Sequence, residues 1–448
     1  MALQHRFYPS ARIDHFLKNQ RMHCDYTNMQ QVMVNFRHHM QQGLMPHAQS
    51  SLLMIPTYVR LPKQILAHKP VIAMDAGGTN LRKALVSFDD QGKILIENFD
   101  QTAMPGSDGS ARTKDQFYHE LARFVLPESK NSAYMGFCFS YPTQSTPEAD
   151  GKVLFFSKEI DAPEVVGSYV GLSLREAVMK LDANTQLQRV IVMNDTVSTL
   201  LSGMLTAKEH RYSSYIGLIL GTGMNMAYVE RNKKISKISH QDSNGSQVIN
   251  IEAGGFLSVL RGTMDYRLDQ ETSAPGKFAL EKMVSGAYFG RLCALTIEAA
   301  CDEGGIFDDD TANLLRPILD EIDTKVISEY HNDMHSSDNI LGLVLHEVAL
   351  SQRELVGQII ANLLQRMAKL VASVLSGVIL ESGEGFLAQE PICITVDGST
   401  FYGFEGLKEE IQRLMQEEIL VGAYKRYFTL TYIENASLVG AAMAAYTF

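Results

Sequence analysis

Val71-Ile72-Ala73-Met74-Asp75-Ala76-Gly77-Gly78-Thr79-Asn80-Leu81-Arg82 decides how the rest of this chain is read. An apolar run ends in an aspartate, and two glycines, a threonine and an asparagine follow. A second apolar run, 84–88, leads to the turn signal Asp89-Asp90-Gln91-Gly92 and a third run, 93–96. The pattern predicts strand, tight glycine turn, strand, turn, strand. Glycines at such a turn let backbone N–H groups approach a phosphate, with the Thr79 hydroxyl as a further donor. Asp75, at the strand end, has the chemistry to hold a hydrated magnesium ion beside that phosphate. Taken alone, the stretch fits equally well a hairpin whose glycines serve only the turn.

The same device recurs. The run 216–220 enters Gly221-Thr222-Gly223 and leaves through 224–229. Two strand–glycine turn–strand units predict two related domains, each offering a phosphate-facing hairpin to a shared cleft. Neither unit is followed by the helix that a dinucleotide or Walker fingerprint needs, and Gly-x-x-x-x-Gly-Lys-Ser/Thr is absent. The pair points to an α/β, two-domain actin-like ATPase (ribonuclease H-like) fold with a central cleft.

The 448 residues suffice for two or three domains with cores of their own. A composition 45% hydrophobic and 20% charged is ordinary for a soluble globular protein. The net charge of −11, with no basic block, argues against a nucleic-acid partner. Cys24, Cys138, Cys293, Cys301 and Cys393 are scattered without Cys-x-x-Cys spacing. That disfavours a disulfide framework or zinc site and favours reduced thiols in a cytoplasm. The N-terminus reads as no signal peptide, and no run reads as long and apolar enough to span a bilayer, so no membrane partner is expected.

Helical spacing of apolar residues marks 11–44, 113–126, 172–181 and 277–300, and 355–375 most clearly, its apolar face expected on a sheet. His38-His39 lack a carboxylate or cysteine at ligand spacing, which disfavours a metal site. The acidic piece 301–310 reads as a solvated loop. Strands are predicted at 134–139, 190–193, 248–251, 392–396 and 427–433, with a small-residue helix at 438–446. Polar groups stand where several strands stop: Ser140-Tyr141-Pro142, Asn194-Asp195-Thr196 and Asp397-Gly398-Ser399. Such positions face the cleft in other α/β sheets. Asn194 or Asp195 is either a simple helix N-cap or, for Asp195, a carboxylate kept ionised by the helix dipole.

Taken in order, these residues resemble the hexokinase family over most of the chain. Met54-Ile55-Pro56-Thr57-Tyr58-Val59 is similar to the family's approach to its first phosphate motif, Asp75 to Arg82. Phe139-Ser140-Tyr141-Pro142 resembles the sugar loop, Asn194-Asp195-Thr196 the catalytic motif, and Gly221-Thr222-Gly223-Met224-Asn225 the second phosphate motif. Asn250-Ile251-Glu252 and the segment 278–283, containing Glu281, resemble the two segments that supply sugar-binding glutamates. Asp397-Gly398-Ser399 and the segment beginning at Ser437 resemble the adenosine end. Two departures stand out. The family's Trp-Thr-Lys-Gly-Phe is here Phe156-Ser157-Lys158-Glu159-Ile160, and its Glu-Trp-Gly is Glu252-Ala253-Gly254, in a chain with no tryptophan.

The resemblance implies transfer of the ATP γ-phosphoryl group to the 6-hydroxyl of a hexose, glucose first, as the opening step of glycolysis. It implies Asp195 as general base and Lys158 beside the transferring phosphoryl group. Sugar ligands would be Ser140, Ser157, Lys158, Asn194, Asp195, Asn225, Glu252 and Glu281. Nucleotide contacts would be Asp75, Gly77, Gly78, Thr79, Asn80, Arg82, Gly221, Thr222, Gly223, Gly286, Asp397, Gly398, Ser399 and Ser437, with Asp75 holding magnesium through water. It also implies an N-terminal helical segment, 1–60, on the large domain, a small domain at 61–205 and a large domain at 206–448. The length suits one catalytic unit, as a monomer or homodimer. A non-catalytic sugar sensor of the same fold, or a sugar kinase of another branch, is the alternative.

Overall fold

The computed structural model describes residues 10–47, 49–63, 66–91, 93–156, 160–208, 210–239 and 242–447. The chain opens with α1 (Ala11–Asn19), α2 (Met29–Gly43) and the short strand β1 (Ile55–Pro56). There follow β2 (Val71–Gly77), β3 (Asn80–Phe88), β4 (Ile94–Ala103), α3 (Lys114–Val125), β5 (Tyr134–Phe139) and β6 (Thr143–Ser145). Next come β7 (Gly151–Val153), α4 (Val170–Leu181), β8 (Arg189–Met193) and α5 (Asp195–Ser202). The second half holds β9 (Ser214–Leu220), β10 (Met224–Arg231), β11 (Ser246–Asn250), α6 (Thr263–Glu271), α7 (Ala279–Val284) and α8 (Phe289–Asp302). It continues with α9 (Asp309–Leu315), α10 (Thr324–Asn332), α11 (Ile340–Leu345) and α12 (Leu350–Ser382). It closes with β12 (Ile392–Asp397), α13 (Ser399–Gly403), α14 (Leu407–Leu414), β13 (Phe428–Thr431) and α15 (Ala436–Ala445).

Two sheets carry the architecture, ordered β4-β3-β2-β5-β8 and β1-β11-β10-β9-β12-β13. Apart from β1 they share one plan. Three antiparallel strands form a meander, and two parallel strands extend the sheet beyond its first strand. The two glycine hairpins, β2–β3 and β9–β10, occupy equivalent places, which is the duplication their sequences predict. β2 and β5 are buried almost throughout because helices cover both faces of the first sheet.

On one face, Phe117 and Leu121 of α3 and Leu174 and Val178 of α4 pack with Ile72, Met74 and Phe137. On the other, Ala441, Ala442 and Ala444 of α15 pack with Val71, Ala73, Ala84 and Val86. The same cluster takes in Leu200 and Leu201 of α5 and Tyr215 and Ala227 of the second sheet, so α5 and α15 join the two halves. Their backbones touch: a Cβ on Gly440 would stand 1.8 Å from the Ser198 carbonyl oxygen, so no larger residue fits there without moving a helix. The last helix therefore returns to the first sheet, far beyond position 205. The N-terminal helices join the larger core, with Phe16, Met33 and Phe36 clustering with Leu363, Met367 and Val371 of α12.

Some expectations change. The segment 11–44 is two helices, separated by a turn that ends where Asn28 caps α2. The series 277–300 is also two helices, α7 and α8. The chain breaks between them because the N–H groups of Gly286 and Ala287 donate to the carbonyls of Gly221 (2.7 Å) and Thr222 (3.0 Å) instead of continuing a helix. α12 runs for 33 residues and is long and apolar enough to cross a membrane, where the sequence reading expects no such run. Yet 83% of its most apolar window is buried inside the protein. Nor does it present one face to a sheet: every residue of 370–382 is buried, with α2 and α14 packed along it. A helix apolar all round is a core helix, and α12 is the centre of the larger half.

Candidate active site

The first wall grows from the carboxyl ends of β2, β5 and β8. Asp75 lies opposite Cys138, and Cys138 opposite Met193, so Asp75, Ser140 and the Asn194–Asp195 pair emerge along one edge. Two strand spacings put Asp75 roughly 10 Å from Met193, and Asp195 follows two residues on. The Cys138 thiol between them is pushed well up, by burial first and then by the carboxylates of Asp75 and Asp195.

Gly77 pairs with Asn80, leaving Gly78-Thr79 as a two-residue turn with Gly78 at φ +66°. The turn is held from beneath. The Tyr141 hydroxyl donates to the Gly78 carbonyl, and the Met104 N–H donates to the Thr79 carbonyl at 2.8 Å. Thr79 and Asn80 themselves are exposed. Asp75 is buried, and its Oδ2 accepts from Arg82 Nη2 and, at 2.9 Å, from the Ser437 hydroxyl. Arg82 and Ser437 are thus brought to Asp75, which places Ser437 at the first hairpin. Oδ1 of Asp75 has no hydrogen bond among the described residues, so one carboxylate oxygen fits a cation held through water.

At the end of β8 the N-cap reading holds, and Asp195 stands at the helix start. Asn194 Oδ1 caps α5 by accepting from the Thr196 N–H at 2.9 Å. Asp195, the first helical residue, accepts from the same N–H at 2.8 Å and from the Thr196 hydroxyl at 3.3 Å.

The second wall is an amide–carboxylate network at the edge of the six-stranded sheet. Asn225 donates to Asn250 Oδ1 at 2.8 Å and to Glu252 Oε1 at 3.3 Å, while Asn250 donates to Glu252 Oε1 at 2.7 Å. Asn225 Oδ1 accepts from the N–H groups of Met226 and Ala253, which fixes its orientation. Glu252 has a left-handed backbone, φ +58°, unusual outside glycine and typical of functional strain. Glu281, on α7, accepts from the Met224 N–H at 3.1 Å. Burial raises the pKa of both glutamates. For Glu252 the bond from Asn250 opposes that rise, and the charges of Asp195 and Glu281 add to it. Asp195 and Glu252 therefore sense one another although they stand on different sheets.

The second glycine turn lies beside the end of β12. The Gly221 carbonyl accepts from the Gly286 N–H at 2.7 Å and the Thr400 hydroxyl at 2.9 Å. Gly398 has φ +123°, and a Cβ there would stand 2.3 Å from the Leu220 carbonyl oxygen. Only glycine lets these two strand ends meet. Thr222 and Ser399 are exposed at this junction, while Asp397 Oδ1 is occupied by the Gly398 N–H at 2.7 Å. Gly286 supports the turn through its backbone. Ser157 and Lys158 lie outside the described residues.

The sequence reading missed three contributors. Asn250 stands in the quoted glutamate segment, two residues before Glu252, and Tyr141 in the quoted sugar loop, but neither was given a role. Thr400 follows Ser399 directly.

A family model described as Hexokinase matches residues 13–205, and a second with the same description matches residues 215–447. Hexokinase-1 of Spinacia oleracea is 28% identical over 430 residues, covering 91% of this chain and 84% of that protein. Hexokinase-1 of Arabidopsis thaliana is 28% identical over 433 residues, covering 91% and 85%. Among solved structures, the hexokinase of Schistosoma mansoni complexed with glucose aligns over 98% of both chains with a TM-score of 0.75 at 22% identity, a likeness of fold.

Proposed function

The chain belongs to the hexokinase family, and from that premise of sugar phosphorylation we propose that it transfers the γ-phosphoryl group of ATP to the 6-hydroxyl of a hexose, glucose first, in the cytoplasm. The observation that carries this reading is the amide–carboxylate network of Asn225, Asn250 and Glu252 on the second wall, with Asp195 at the start of α5, the helix packed on that same sheet. A hexose between them meets carboxylates and amides able to accept from or donate to adjacent hydroxyls. Such a site rejects analogues that lack a hydroxyl, because its own buried groups would be left unpaired.

Asp195 accepts the 6-hydroxyl proton as that oxygen attacks the γ-phosphorus, and ADP leaves. The turns Gly77 to Asn80 and Gly221 to Gly223 bring backbone donors and the hydroxyls of Thr79 and Thr222 to the phosphates from opposite sheets. Asp397, Gly398 and Ser399 flank the nucleoside, and Lys158 stabilises charge on the transferring group. A magnesium ion, held through water at Asp75, would neutralise phosphate charge. All five cysteines are unpaired, in keeping with a reducing compartment. The test is ADP release by wild type and Asp195→Ala with a panel of hexoses. Hexose-dependent release is expected from wild type and about 10²-fold or more slower from Asp195→Ala, and equal release by both proteins would remove Asp195 from the mechanism.

A further inference from the structure

A crevice of about 680 Å³ lies at the opposite end of β8 from the sugar wall. Tyr58, Glu148, Lys152, Tyr169, Arg175 and Arg189 are among its lining residues. Arg189 opens β8, and Asn194 follows its last residue. Five residues of extended chain, roughly 17 Å, therefore separate the crevice from the catalytic end.

Cations outnumber carboxylates in its lining, with Lys152, Arg175 and Arg189 beside Glu148 and Asp150. Asp150 is fully used as a cap, accepting from the N–H groups of Gly151 and Gly171 at 2.7 Å each and of Leu172 at 2.9 Å. Glu148 and the capping Asp150 together leave the three cations one positive charge in excess. Arg175 gives one N–H to the Gln188 carbonyl at 3.2 Å, but its Nε is buried without a hydrogen-bond partner. The Lys152 ammonium makes no hydrogen bond or ion pair among the described residues. Arg189 reaches the Glu148 carbonyl at 3.0 Å, and burial lowers its pKa, a desolvation that an anion would relieve.

We propose that this crevice binds a small phosphate monoester, with Lys152, Arg175 and Arg189 on the phosphate and the rings of Tyr58 and Tyr169 walling the remainder. Guanidinium groups suit phosphate oxygens by their planar fork of donors, and the volume accommodates a molecule of sugar-phosphate size. The occupant would bridge both halves. Tyr58 is tied to the six-stranded sheet through its N–H, which donates to Gln247 Oε1 at 2.9 Å, whereas the cations stand on the five-stranded half.

Isothermal titration calorimetry of the full chain with 2-phosphoglycolate, in low-salt phosphate-free buffer, tests the proposal. Saturable binding is expected, and it persists when the nucleotide site is filled with AMPPNP. Lys152→Gln and Arg175→Gln should each weaken binding about tenfold or more, the loss of one charge-assisted contact, while hexose-dependent ADP release stays at the wild-type rate. Lys152→Gln removes no hydrogen bond or ion pair among the described residues, so it keeps the test valid if Arg175→Gln fails to fold. Absence of saturable heat, or binding that AMPPNP abolishes and Lys152→Gln leaves intact, would overturn the assignment.

Discussion

Asn250→Ala removes the amide that orients Glu252, a proposed sugar ligand, without touching the proposed base. Asn250 is 5% exposed, donates to Glu252 Oε1 at 2.7 Å and accepts from Asn225 at 2.8 Å. A hydrogen bond to an ionised group contributes about 1.5–3 kcal/mol. Glu252 keeps the longer contact from Asn225, 3.3 Å, so the loss falls at the low end of that range. About 1.5 kcal/mol is close to tenfold, expected as a rise in KM for hexose with kcat little changed. The pH dependence has a definite sign. Burial raises the Glu252 pKa, and the bond from Asn250 is the largest influence holding it down. Without that bond the carboxylate protonates at higher pH, and a protonated carboxyl accepts sugar hydroxyls poorly. Hexose binding is then lost earlier as pH falls, and the acid limb of kcat/KM moves upward. Steady-state ADP release at varied hexose and pH measures both effects, with thermal unfolding as a control for folding. A KM within about twofold of wild type and an unmoved acid limb would refute the role given to Asn250.

Asp195→Ala should lower kcat by about 10²-fold or more while calorimetry finds hexose binding largely retained. Gly398→Ala forces a Cβ to 2.3 Å from the Leu220 carbonyl oxygen at a φ of +123°, so it should cost about 1–3 kcal/mol in thermal unfolding and raise KM for ATP more than for hexose. Because the proposed sugar ligands stand on both sheets, hexose should draw the halves together and exclude water, seen as a smaller radius of gyration by small-angle scattering. Glu281→Ala should weaken both that change and sugar affinity, and an unchanged radius at saturating hexose would count against closure.

Much of this architecture can be read from local pattern. The turns at Gly78 and Gly221 announce themselves because apolar runs on both sides leave the chain no other reading, and their repetition predicts two sheets of one plan. Asp195 was placed correctly at a helix start because Asn194-Asp195-Thr196 ends an apolar strand. What stayed hidden depends on contacts distant in sequence. The break between α7 and α8 is set by the Gly221 and Thr222 carbonyls, more than sixty residues away, so the apolar spacing of 277–300 gives no sign of it. The return of α15 to the first sheet rests on Gly440 meeting Ser198, and small residues alone do not name their partner. The roles of Asn250 and Tyr141 follow from which atoms the fold brings within 3 Å, not from their spacing. α12 proved longer than its apolar spacing at 355–375 suggests and buried all round rather than on one face, because its surroundings are helices distant in sequence.

The central claim is phosphoryl transfer to one particular hydroxyl, and carbon-13 NMR of the product formed from labelled glucose, ATP and magnesium tests it most directly. Coupling to phosphorus is expected at C6 through two bonds and at C5 through three, with none at C1 to C4, in step with ADP formation, and Asp195→Ala should slow its appearance by about 10²-fold or more. Phosphorus coupling centred on any of C1 to C4 with C6 unsplit, or ADP release without any phosphorylated sugar, would contradict it.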